Sequence, residues 1–152
     1  MTTMAQARER VVLVVDDEAR VRQLERRVLE RGGYRVIEAP GAAEAFRLLD
    51  NGLPDLLIAD LDMPELSGEE MVRRIHATHR DLKVLYVTAN IDRLLDVRSI
   101  VWEGEAFLDK PFTSKGLLEA VSMLLTGTLN GGAAAPLPET MLPKRGGLPW
   151  AR

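Results

Sequence analysis

The sequence predicts an α/β fold in which a parallel five-stranded sheet is covered on both faces by five helices. Three observations predict it. Short apolar runs rich in β-branched residues recur along the chain. A stretch with helical apolar spacing follows each run. The strand runs are continuously apolar rather than alternating, as strands buried on both faces require. Strands that alternate with helices lie parallel, with right-handed crossovers.

The first run is VVLVV, Val11 to Val15. DDEARVRQLERRVLERGG then carries Val21, Leu24, Val28 and Leu29 at helical spacing, and Gly32 and Gly33 close it. YRVIEA is the second strand. GAAEAFRLLDNG is the second helix, with Ala42, Ala45, Phe46 and Leu49 on one side. Pro54 and Asp55 lead into LLIA, a third strand that Asp60 ends, and Pro64 and Gly68 mark a loop. EEMVRRIHATH is the third helix, with Met71, Val72 and Ile75 inward. LKVLYVTA is the fourth strand. Residues 91–102 carry a weaker helical pattern on Ile91, Leu94, Leu95, Val97 and Val101. EAFLDK is the fifth strand. TSKGLLEAVSMLLTG is the last helix, capped by Thr113, with Leu117, Leu118, Val121, Leu124 and Leu125 on its apolar face.

The chain has 152 residues, enough for one domain with a core and little more. The domain is expected over residues 10–126, after an extension at 1–9 and before a Gly/Ala/Pro-rich tail at 127–152 that is either flexible or draped over the domain with Trp150 as its anchor, and in which no output domain is recognisable. At 46% hydrophobic and 28% charged, the composition is that of a globular protein. The net charge of −3 gives no general attraction to nucleic acid or to anionic membrane, so direct DNA binding and membrane association are not expected. There is no cysteine, which excludes disulfide and thiolate chemistry. No signal peptide is recognisable, and VVLVV is far too short to span a bilayer. A cytoplasmic location is the expectation.

In an open parallel sheet, function sits outside the carboxyl ends of the strands. The first strand ends in Asp16 and Asp17, the third in Asp60, the fourth in Thr88 and Ala89, and the fifth in Asp109, Lys110 and Pro111. The second supplies only EAPG. The stretches VVLVVDDE, PDLLIADLDMPELSG, VLYVTA and AFLDKPF resemble, in this order, the receiver domain of bacterial two-component response regulators, over roughly residues 10 to 126. The resemblance implies a flavodoxin-like doubly wound sheet with strand order 2-1-3-4-5. It makes Asp60 the phosphoacceptor and nucleophile. Asp17 is then a direct ligand of Mg²⁺ (or Mn²⁺), Asp16 a ligand through water, and the Asp62 backbone carbonyl a further ligand. Lys110 and Thr88, with Ala89 beside it, face the phosphoryl oxygens. Phe107 is the switch aromatic, whose ring turns inward when Thr88 moves. Lys110–Pro111 is a cis peptide, and Asp62 and Asn90 tune the lifetime of the phosphoryl group.

Charge counting supports a cation. Asp16, Asp17 and Asp60 give −3 and Lys110 returns +1, so a divalent ion brings the pocket to neutrality. The expected function is a single-domain response regulator phosphorylated by a histidine kinase or a histidine phosphotransfer protein. It is a self-modifying phosphoacceptor rather than an enzyme. A face built from the fourth helix, fifth strand and fifth helix addresses an unknown downstream protein or a second copy, as a homodimer. The rivals are a receiver taken from a hybrid kinase, a pseudo-receiver that binds without phosphorylation, and an enzyme of flavodoxin or phosphatase type. The DDEAR loop repels phosphate and no cap insertion is long enough, which counts against the enzyme. His76 and His79 read as a solvated helix face. Arg20, Arg22, Arg26, Arg27 and Arg31, interleaved with Glu18, Glu25 and Glu30, read as a salt-bridged face that doubles as a docking surface for the phosphodonor.

Overall fold

The computed structural model describes residues 9–89 and 104–127. Five strands, β1 (Val11–Val15), β2 (Arg35–Ala39), β3 (Leu56–Asp60), β4 (Lys83–Thr88) and β5 (Glu105–Asp109), form one sheet. Its order is β2-β1-β3-β4-β5, and all four pairings are parallel. Among the described residues there are four helices: α1 (Ala19–Arg31), α2 (Ala42–Leu49), α3 (Gly68–Thr78) and α4 (Ser114–Thr126). The helix expected over 91–102, Asn90 and the tail beyond Gly127 lie outside the described residues. No helix among the described residues is long and apolar enough to cross a membrane.

Strand side chains alternate between two cores. Leu13, Val15, Leu57, Ala59, Val84, Tyr86 and Phe107 meet the inner sides of α2 and α3 on one face. Val12, Val14, Leu56, Ile58, Leu85, Val87, Ala106 and Leu108 meet α1 and α4 on the other. Each fully buried Val or Leu contributes about 1.5–3 kcal/mol, against about 0–1 for an exposed ion pair, so the sheet is held by these two layers. The helix ends are set by local chemistry. Ser67 and Thr113 cap α3 and α4 by accepting the amides of Glu70 and Gly116. The amides of Gly33 and Tyr34 close α1 on the carbonyls of Glu30 and Leu29, and Gly33 takes the positive φ of 95° that this closure needs.

Three expectations are corrected. Leu24, assigned to the inner face of α1, is 50% exposed, whereas Glu25, assigned to a salt-bridged surface, is 1% exposed. A helix turns about 100° per residue, so an arc centred on Glu25, Val28 and Leu29 leaves Leu24 at its margin. Of the charged face expected on α1, Arg26 binds Glu30 at 3.0 Å, while Arg22 and Arg26 bind Glu38 of β2 at 2.9 and 2.8 Å. His76 is likewise not a solvated residue. Its Nε2 lies 2.9 Å from the Leu82 carbonyl and its Nδ1 faces Glu105.

Among the described residues, neither carboxylate oxygen of Glu25 has a hydrogen-bond partner. Burial raises its pKa from 4.5 to about 8, helped by the charges of Asp16 and Asp60 and opposed by Lys110. The folded chain therefore keeps a proton that the unfolded chain releases, and stability falls as pH rises between those two values. Glu25→Leu is expected to unfold at higher urea than the wild type at pH 8, by about 1–3 kcal/mol, with the gap narrowing towards pH 5. A gap independent of pH would rule out an ionisation cost at this position.

Candidate functional site

The carboxyl ends of β1, β3, β4 and β5 converge on one edge. Asp16 continues the β1–β2 ladder, its amide donating to the Ala39 carbonyl at 3.2 Å. Its own carboxylate accepts the Glu18 amide at 2.8 Å, closing the turn into α1, and Arg22 donates to its carbonyl at 2.7 Å. Asp16 is buried, while Asp17, the next residue, is exposed. Asp60 ends β3 at 3% exposure and accepts the Asp62 amide at 3.2 Å. Oxygens of the three carboxylates, Asp16, Asp17 and Asp60, all lie within 4.8 Å of one another.

Lys110 enters this cluster from the end of β5. Its amide donates to the Thr88 carbonyl at 3.0 Å, extending the β4–β5 ladder, and Lys110–Pro111 is cis. The Lys110 Nζ is 3.3 Å from Asp16, 3.4 Å from Asp60 and 4.0 Å from Glu18. Burial would lower the lysine pKa, but the Asp16 and Asp60 charges outweigh it and leave the ammonium above its usual value. Burial raises the Asp60 carboxyl to about 6, with Asp16 adding to the shift and the Asp62 amide and Lys110 opposing it. One ammonium therefore does not offset the cost of gathering these acids out of water.

Thr88 is 1% exposed and its hydroxyl donates to Asp62 Oδ2 at 3.3 Å. Ala89 follows at the surface, and Asp62 is exposed. Phe107 is 2% exposed, its ring stacked on Tyr86 with centroids 5.6 Å apart and planes at 20°. The site residues that fall among the described residues thus gather at this edge, except Phe107, which lies beneath it in the core. Sequence reasoning gave Arg22 to the salt-bridged face and missed that it braces the Asp16 carbonyl, and it missed Glu38, which holds Arg22, and Tyr86. The signal for Arg22 was its place one helical turn after Glu18. Glu38 had none until β2 was set beside β1.

The donor set suits a hard divalent cation. It offers three carboxylates and no nitrogen or sulfur, and Asp17 opens it to water, as Mg²⁺ with retained waters prefers. His76 and His79 belong to no such cluster among the described residues.

Residues 12–122 match the family described as response regulator receiver domain. The chain belongs to the response regulator receiver family. Response regulator MprA of Mycobacterium sp. (strain KMS) is 37% identical over 117 residues, 77% of this chain and 51% of that one. The chain thus spans about half the length of the curated relatives it matches. Response regulator protein TrrA of Thermotoga maritima, solved in complex with Mg(2+)-BeF, is 34% identical with a TM-score of 0.69 over 76% of this chain and 99% of that one. Chemotaxis protein CheY4 of Vibrio cholerae is 26% identical with a TM-score of 0.68, over 77% and 99%.

Within this receiver domain Gly68 ties α3 to the acid edge. A Cβ there would run into the Asp60 carbonyl oxygen, and the Gly68 amide donates to the Leu61 carbonyl at 3.2 Å. Alanine is the better helix former by about 1 kcal/mol, but a clash with immovable backbone costs about 1–3. Gly68→Ala is therefore expected to lower stability in urea unfolding. A stabilised variant would show that α3 does not rest on the end of β3.

Proposed function

We propose that the chain is a phosphoacceptor switch of two-component signalling, with Asp60 as the acceptor. The observation that carries this reading is the meeting of Asp16, Asp17 and Asp60 with Lys110 at one sheet edge, within reach of the Thr88 strand end. Asp60 is the one carboxylate of the three that lies on the central strand, fixed by the Asp62 amide. Its carboxylate oxygen attacks phosphorus while the bond from phosphorus to a donor imidazole nitrogen breaks. That nitrogen takes up a proton, and an aspartyl phosphate results. The donor is a histidine kinase or a phosphotransfer protein.

Asp16, Asp17 and Asp60, with the Asp62 carbonyl, would hold Mg²⁺ or Mn²⁺, which when bound supplies positive charge to a site that otherwise repels a phosphoryl group. Lys110 turns from its carboxylate partners to a phosphoryl oxygen, and the Thr88 hydroxyl turns to another. Phe107, on the strand next to Thr88, passes the change to the surface of β5 and α4, where a partner reads it. The chain promotes its own phosphorylation and dephosphorylation and turns over no separate substrate.

Beryllofluoride with Mg²⁺ is expected to shift the thermal unfolding of the wild type upward and to leave Asp60→Asn unmoved. Equal shifts in both would sink the assignment. Asp62→Asn is expected to change the dephosphorylation rate after loading with a small acyl phosphate by about threefold or more, a scale set by one hydrogen bond. Equal rates would make Asp62 a spectator.

A further inference from the structure

Packing is not the only thing that holds Phe107. It faces Tyr86 across the β4–β5 pairing, ring on ring at 5.6 Å. At the far end of that ring the Tyr86 hydroxyl donates to Glu105 Oε2 at 3.1 Å. Glu105 opens β5, and its side chain is 1% exposed. The same oxygen is 3.8 Å from His76 Nδ1 on α3. His76 Nε2 lies 2.9 Å from the Leu82 carbonyl, which only accepts, so Nε2 carries the hydrogen. In a neutral imidazole Nδ1 then bears a lone pair and donates nothing to Glu105, so the hydrogen-bonded chain runs from Glu105 through Tyr86 to the face of Phe107, with His76 beside it. It crosses the apolar layer that also holds Leu57, Ala59, Met71 and Ile75.

A carboxylate in such a layer is tolerated only when its partners stay in place. Tyr86 cannot turn without breaking its bond to Glu105. Phe107 cannot leave without uncovering the Tyr86 ring. We propose that Tyr86 and Glu105 form a latch that holds the Phe107 ring inward before any phosphoryl group arrives. They are positioning residues for the switch, and the proposal rests on the reading of Phe107 as its moving aromatic. The latch biases the resting equilibrium towards the inward arrangement, so little conformational work is left for phosphorylation.

The test uses the full chain labelled with fluorophenylalanine. Its 3 phenylalanines give separable fluorine resonances, and Phe107→Leu identifies the one from Phe107. Tyr86→Phe keeps the stack and removes the hydroxyl. The variant is expected to show a second or broadened Phe107 resonance. Its half-saturating beryllofluoride concentration, at fixed saturating Mg²⁺, should rise about three- to tenfold, the scale of one net hydrogen bond. Glu105→Gln, whose amide oxygen still accepts, is expected to stay close to the wild type, and Glu105→Ala to follow Tyr86→Phe. Glu105→Ala decides the matter if Tyr86→Phe does not fold. A wild-type Phe107 resonance and midpoint in both Tyr86→Phe and Glu105→Ala would overturn the latch. If the wild type itself ignores beryllofluoride, the phosphoacceptor reading fails. The fluorine spectra without ligand then still decide whether Phe107 is latched.

Discussion

The gathering of three carboxylates at the end of a parallel sheet is the constraint on which the rest of the structure depends. Asp16, Asp17 and Asp60 repel one another, and two of them are buried. The fold keeps them together with Lys110 on two of them, the Glu18 amide on Asp16 and the Asp62 amide on Asp60. Even so the Asp60 carboxyl stands near 6 rather than in the usual range, because burial and the Asp16 charge outweigh those donors. The edge is therefore held in an electrostatically incomplete arrangement by hydrophobic layers elsewhere. That suits a site meant to receive charge rather than one tuned for stability.

The parallel sheet makes this arrangement possible at low backbone cost. Every strand delivers its last residue to the same edge, and the register aligns Asp60 with Val87 and Thr88 with Asp109. Lys110 needs only to continue the ladder by one residue to reach the acids. Gly68 lets α3 begin directly against the Asp60 carbonyl, so the β3–α3 loop turns away sharply enough to leave Asp62 at the rim. The two aspartates differ in kind because one is the last residue of a buried strand and the other an exposed residue between the buried Leu61 and Met63 of the following loop.

The elements and the acid edge were legible in the sequence because both rest on one-dimensional patterns. Apolar runs and helical spacing fix the strands and helices, and strand ends fix where charged residues meet. What was not legible depends on the third dimension. Glu25 looked like one more glutamate on an arginine-rich helix, although Val21, Val28 and Leu29 at its helical neighbours already mark the inner arc. Glu38 looked inert until the β1–β2 pairing set it beside Arg22 and Arg26. His76 and Tyr86 lie 10 positions apart and Glu105 a further 19 along, so nothing local in the sequence announces that they meet.

Thr88 shows how closely the parts of the edge are tied. A threonine hydroxyl has one hydrogen, and here it points to Asp62 Oδ2 at 3.3 Å. The same hydrogen cannot serve a phosphoryl oxygen at the same time. For Thr88 to act as the switch hydroxyl it must exchange one acceptor for the other, so Asp62 competes with the phosphoryl group for this donor. Asp62 is exposed and can turn to water, whereas a phosphoryl group on Asp60 would sit at a buried strand end beside Lys110. An acid at position 62 sets the orientation of the Thr88 hydroxyl, so on the proposed reading the rate-tuning role and the switching role would be two aspects of one hydrogen bond.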